Sequence, residues 1–258
     1  MERAVYLWFL VISTLLAAIG GAMGMRALRH GHRSRSTVLW MGGAFLAQIA
    51  FLGIRGEARG ACPLIGLGEI LVFLAWSLTL IYLLVGPTYR LSLLGVFSAP
   101  VVVVFQAIAL IPGVLERNPQ RVISTDAWRE THAAMSVLGY GALALAAVSS
   151  VMFLVLDRQL KEQHLSSGLF RNLPPVRELL VSGRRLLWLG WAMLTVGVAA
   201  GFLMPHEDAG AHLVAAVLVW LAYAALVGVA QFRGLTGRRF SLLTVVLFLV
   251  SLSVFAFI

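Results

Sequence analysis

Long apolar runs separated by short polar joints dominate the chain. Eight runs stand out, at residues 4–25, 36–54, 66–85, 91–111, 132–156, 186–204, 211–230 and 240–258. A bilayer core about 30 Å thick is crossed by about 20 residues of helix. Inside it every backbone N–H and C=O has to be bonded within its own segment, so each run predicts a helix. The alternating segments of a strand barrel are absent from the pattern. The expectation is an all-α polytopic membrane helix bundle of about eight transmembrane helices, a single integral-membrane domain over residues 1–258 in a lipid bilayer. Arg26, Arg29 and Arg33 follow the first run instead of preceding it, so that run reads as a retained span and not a cleaved leader.

Most joints are short. In the joint at 112–131, Asn118-Pro119 predicts a turn and Ser124-Thr125-Asp126 a helix start, with Thr125 or Asp126 as cap. Trp128 then lies four residues before His132 and on its face. In the joint at 157–185, Leu173-Pro174-Pro175 opens a predicted short helix whose Val176, Leu179 and Leu180 share an apolar face. That pattern suits an interfacial elbow leading into the sixth span.

Charge orients the bundle. The joints after spans one, three, five and seven carry fourteen of the basic residues and the opposite side six, namely Arg3, Arg55, Arg59, Arg117, Arg121 and Arg129. By the positive-inside rule the first set faces the cytoplasm, which puts both termini on the extracytoplasmic side. The net charge of +9 is therefore a topology signal, and nucleic acid is not an expected partner. With 60% hydrophobic and 12% charged residues and a mean hydropathy of +0.92, the chain reads as a multi-pass protein of the cell (inner or plasma) membrane. Cys62 is the only cysteine, so an internal disulfide and a cysteine-pair zinc site are excluded, and a small apolar residue at a helix mouth is its expected role. Without C-x-x-C-H the chain does not attach haem to itself. Nucleophile–base sets, nucleotide loops and H-E-x-x-H are also absent, so no enzyme is expected. Paired intramembrane charges and interrupted helices in matching halves, which would mark a solute transporter, do not appear either.

Few polar residues remain within the runs. Gln48 and Gln106 suit interhelical hydrogen bonds, and Gly20-x-x-x-Gly24 suits helix packing. Glu69, near the outer end of the third span, is either a functional carboxylate or a shallow helix cap. His30, His32 and His164 fall in basic joints, and His206 in the tight joint before Asp208. His132 and His212 differ, because each opens a span on the same outer face; Asp208 is the expected cap for the second. Two such imidazoles can ligate one metal centre or one haem iron, or else be structural boundary residues. Bis-imidazole haem also needs an apolar slot and cations for its propionates. Trp128 could form a wall of that slot, and Arg55, Arg59, Arg117, Arg121 and Arg129 could supply the cations. A metal site other than haem iron is not expected.

Ordered motifs carry a family resemblance. Cys62-Pro63-Leu64-Ile65-Gly66-Leu67-Gly68-Glu69, with Phe73-Leu74-Ala75-Trp76-Ser77-Leu78-Thr79-Leu80, resembles the third-span signature of the CcsA/HemX-type cytochrome c assembly proteins. His132 with Leu138-Gly139-Tyr140-Gly141, Gly190-x4-Thr195-Val196-Gly197-x3-Gly201, His212 with Trp220, and Gly234-Leu235-Thr236-Gly237-Arg238 continue it in order. The resemblance implies a haem-handling membrane protein of c-type cytochrome biogenesis, with His132 and His212 at the positions of the family's outer-face axial ligands. It also implies haem as cofactor, with a ResB-type protein and apocytochrome c as partners. Two features depart from the pattern. Gly68 and Ile70 replace the usual neighbours of Glu69, and Pro205-His206-Glu207-Asp208-Ala209-Gly210 stands where haem-presenting members carry a tryptophan-rich segment. The short joint is similar to the HemX-type branch, for which the implied role is a membrane scaffold or regulator of haem synthesis or assembly without haem transfer.

Overall fold

The computed structural model describes residues 2–30, 36–64, 66–85, 92–115, 126–162, 176–204 and 210–253. They form eight α-helices: α1 (Glu2–Arg29), α2 (Ser36–Arg59), α3 (Leu67–Val85), α4 (Ser92–Ala109), α5 (Ala127–Lys161), α6 (Val176–Phe202), α7 (Gly210–Val229) and α8 (Gly237–Ser251). A π-helical turn, Ala230–Gly234, extends α7. Among the described residues no strand is present. All eight predicted spans thus appear as helices of a polytopic membrane bundle. Six of them (α1, α2, α3, α5, α6 and α7) are long and apolar enough to cross a membrane, while the apolar part of α4 is the shorter Leu94–Ala109.

Close approaches fix the helix directions. Tyr6 meets Phe51, and a β-carbon on Gly20 would stand 2.8 Å from Trp40 Cβ, so α1 and α2 run antiparallel. Gly24 meets Val96 at 2.5 Å on the same basis, while Ser13 bonds Gln106, so α4 also runs against α1. The Gly20-x-x-x-Gly24 motif is therefore a packing element, admitting α2 and α4 to the α1 backbone. Farther along, α5 lies antiparallel to both α6 and α8. Its Gly139 faces Gly190, Ser149 donates to the Leu179 carbonyl at 3.0 Å, and Tyr140 donates to the Ser251 carbonyl at 3.2 Å.

Burial separates two inner helices from the rest. In their most apolar windows α3 is 72% and α5 83% buried, against 28% for α1 and 22% for α7. The peripheral helices turn Trp8, Leu39, Leu46, Leu218 and Leu249 outward, a surface that only lipid tails satisfy. Two turns use glycine's access to positive φ. Gly60 (φ +71°) closes α2, with its N–H on the Gly56 carbonyl at 2.8 Å, and Gly234 (φ +67°) ends the π turn.

The expected elbow at 176–180 is a correction. Val176 opens α6, which continues unbroken to Phe202. Leu179 is buried against α5, and a β-carbon on Gly183 would lie 3.6 Å from both Ser149 and Phe240. The physical reason is that proline suits a helix start, where the missing N–H has no intrahelical acceptor in any case. Pro174-Pro175, outside the described residues, thus precede a long helix in sequence and do not isolate a short one, and that helix packs on α5 at Leu179.

Candidate functional site

Asp126 caps α5, its Oδ1 accepting from the Trp128 N–H at 3.3 Å, as the sequence predicted. His132 follows in the second turn and is buried, with 7% of its surface exposed. Its Nδ1 lies 2.7 Å from the Gly197 carbonyl oxygen on α6. A backbone carbonyl only accepts, so Nδ1–H donates.

Missing side chains on α6 make room for this ring. A β-carbon at Gly201 would stand 2.8 Å from His132 Nδ1 and 3.2 Å from Cε1, and one at Gly197 would stand 2.6 Å from Ser136 Oγ. Lower on the same seam, a β-carbon on Gly139 would meet the Gly190 carbonyl at 3.0 Å. The glycine spacing of α6 is thus the spacing of its contacts with α5. The first turn of α7 converges here too, because a β-carbon on Gly201 would also lie 2.9 Å from Leu213 Cδ1. His212 belongs to that turn, while its side chain lies outside the described residues. Aromatic contacts pin α7 to α6 below this point. Trp220 Nε1 donates to Thr195 Oγ1 at 2.8 Å, and the Trp191 and Trp220 rings stack with centroids 5.9 Å apart.

Glu69 is held differently. It is 1% exposed and accepts from Arg55 Nε at 2.9 Å, with a further bond from Arg55 Nη2. Arg59 Nη2 pairs with its Oε2 at 3.1 Å. The Arg55 guanidinium also lies over the Tyr6 ring, 5.0 Å from its centroid. Neither arginine can therefore serve as a surface cation for propionates. Both are buried, at 0% and 2% exposure, and both are committed to Glu69. The cause lies in α2, where positions 48, 51, 55 and 59 share the inner face, so a carboxylate on α3 is required to balance them. Gly68, one of the departures from the family pattern, has a local reason. A β-carbon there would lie 2.8 Å from the Val114 carbonyl oxygen.

Cys62 links the two places. Burial raises its thiol to about 11, with further increments from the negative charges of Glu130 and Glu69. Both anions thus lie near one thiol, which puts the start of α5 and the start of α3 at the same end of the bundle. Glu69 and His132 share that end, with hydrogen bonds to different partners. The thiol stays protonated near neutral pH, as suits the small apolar role expected of it. Trp128 is 48% exposed at the rim above His132, and Arg129 is exposed beside it. Exposed His30 bonds the Arg26 carbonyl at 2.8 Å. His32, His164, His206, Asp208, Arg117 and Arg121 lie outside the described residues. Sequence reading missed the Gly197 carbonyl and the two-arginine clasp on Glu69. The spacing of Arg55 and Arg59, four apart on the face of Gln48, was the signal for the second.

The described geometry meets one requirement of a ligating imidazole, whose second ring nitrogen normally donates to a carbonyl or carboxylate that fixes its direction. A family model described as Cytochrome C assembly protein matches residues 64–257. Similar relatives bear the name cytochrome c biogenesis protein CcsA. That of Chlamydomonas reinhardtii is 27% identical over 224 residues, covering 82% of this chain and 62% of the algal protein. That of Synechococcus elongatus is 27% identical over 252 residues, covering 79% of this chain and 78% of the relative. That of Microcystis aeruginosa is 26% identical over 248 residues, covering 76% of each chain. The chain therefore spans less than two thirds of the algal relative's length.

Proposed function

Because the chain belongs to the cytochrome c assembly protein family, we propose that it handles haem at the outer boundary of the cell membrane during c-type cytochrome biogenesis. His132 is the proposed first axial ligand and His212 the second. The observation that carries this reading is the 2.7 Å bond from His132 Nδ1 to the Gly197 carbonyl, the kind of contact that fixes the direction of a ligating imidazole. Gly201 gives the ring its place, Arg129 supplies a cation at the rim, and Trp128 an aromatic edge. Bound haem would supply the iron that these imidazoles hold, and the chain would form no covalent bonds of its own. A ResB-type protein and apocytochrome c are the proposed partners, the one assisting and the other receiving haem.

Purified protein from haem-replete cells should show a Soret band that falls in both His132→Ala and His212→Ala and persists in His206→Ala. Reporter fusions after Arg35 and Arg239 should read cytoplasmic and one at Asn118 external. The opposite sidedness would remove His132 from the outer face. The tryptophan-free joint at 205–210 favours a second reading, a HemX-type scaffold or regulator. A colourless wild-type protein that cannot be reconstituted with haem, yet supports cytochrome assembly in cells, would decide for that one.

A further inference from the structure

The amino-terminal half contains a polar side chain that the haem reading does not use. Gln48 on α2 is 0% exposed, and among the described residues neither its Nε2 nor its Oε1 has a hydrogen-bond partner. The interhelical bonding expected of the two glutamines is made by Gln106 alone. Its Nε2 donates to Ser13 Oγ at 2.8 Å, and Ser13 donates to the Ala44 carbonyl at 3.0 Å, which ties α4 to α1 and α1 to α2. Gln48 stands one helical turn beyond Ala44, about 6 Å along α2. Gln106 Oε1 is also buried without a partner.

A carboxamide offers two donors and an oxygen with two lone pairs. Leaving all of them unmade in an apolar interior costs more than a leucine of similar size would, so the residue calls for an occupant. Neighbouring charges do not meet the need. Arg55 lies seven residues nearer the outer end, about two turns away, and directs its guanidinium to Glu69 and the Tyr6 ring. Among the described residues, the polar side chains that these bonds bring together beside Gln48 are one further amide and one hydroxyl, neutral groups that offer donors and acceptors together. A bound ion would find no countercharge among them. A small neutral molecule that both donates and accepts satisfies them, and water does so with two to four polar partners.

We propose that α1, α2 and α4 enclose a hydration site in which water is bound between the Gln48 amide and Gln106 Oε1. This site is separate from the His132 mouth and lies below the Glu69 clasp. The clasp and this wet site together place polar groups along the inner face of α2 at positions 48, 55 and 59, in the half of the bundle that lacks His132.

The test is X-ray-driven hydroxyl labelling of the full chain in detergent, in water enriched with oxygen-18. Phe51 lies three residues from Gln48 and is 0% exposed, so only bound water can deliver label to it. The expected result is labelling of Phe51 in the wild type and a drop of at least fivefold in Gln48→Leu, with exposed Trp128 unchanged. If Gln48→Leu fails to accumulate, Gln106→Met serves as second variant and should lower Phe51 labelling at least twofold. An unlabelled Phe51 in the wild type, or equal labelling in the variant that accumulates, would overturn the proposal. So would a small-molecule adduct in the native mass spectrum that disappears in Gln48→Leu.

Discussion

In the amino-terminal half Glu69 is clasped by two arginines, whereas in the carboxyl-terminal half His132 bonds a backbone carbonyl. Both sites lie at the same end of the bundle, and both polar groups are buried. The clasp sets full charges against one another, so it is stable only while every member is present. The histidine is seated by a hydrogen bond to a backbone carbonyl of α6, with no carboxylate set against it in that bond. One half sets buried charges against one another to fix helix positions; the other seats an imidazole on the backbone of a neighbouring helix. The difference is one of partners: Glu69 is held by charges on α2, and His132 by the backbone of α6.

The largest effect expected follows from breaking the clasp. Glu69→Leu strands two buried arginines and should cost about 3–5 kcal/mol, read as loss of accumulation or a lowered Tm. Adding Arg55→Met and Arg59→Met should restore most of it, since an apolar replacement of a whole buried ion group is close to neutral. If the triple variant restores stability but leaves the Soret band weakened, Glu69 has a role beyond folding and the contrast between the halves fails.

Gly201→Ala comes next. Its methyl would press on Nδ1 and Cε1 of His132, so it should cost about 1–3 kcal/mol in overpacking and displace or weaken the Soret band. An unchanged spectrum would show that the ring does not need this place. His132→Ala removes a buried ring as well as its bond to Gly197, so it should cost about 1–3 kcal/mol of stability while abolishing the spectrum. A collapse in accumulation as deep as that of Glu69→Leu would make the two sites alike.

The smallest effect concerns Cys62. With its thiol raised to about 11, the reactive thiolate stays scarce until the pH approaches that value. Maleimide should modify it about 100-fold more slowly at pH 8 than an ordinary exposed thiol, with the rate climbing as pH rises toward 11. Glu130→Gln should speed the reaction, because that carboxylate contributes to the shift. Fast alkylation at pH 8 would show first that the thiol is not buried, since burial is the largest cause of its shift.

The helices were legible because membrane burial demands long apolar runs, and the observed α2 and α3 begin within one residue of the runs at 36 and 66. The cap on α5 was legible because an acceptor side chain before a helix has a single local role. The continuity of α6 was hidden by Pro174-Pro175, which reads equally as the start of a short helix or of a long one. The fate of Glu69 was hidden because its partners lie on another helix, 10 and 14 residues away in sequence. His132 could be singled out by its position at a span mouth. Its bond to Gly197 could not, because a backbone carbonyl carries no side-chain signature.

The burial of α5 also decides how anything reaches His132. Gly139 to Ser150 are buried without a break, whereas Thr131, Ala133, Ala134, Met135 and Ser136 in the outer turns keep part of their surface. A molecule bound at the proposed His132 site would therefore be approached at the outer end of the helix, where Trp128 and Arg129 stand exposed, and not along its middle. Lipid-attached nitroxides should quench the fluorescence of outward-facing Trp8 strongly, while a water-soluble imidazole should compete at His132. The inner helix is sealed along its middle and partly bare at its mouth.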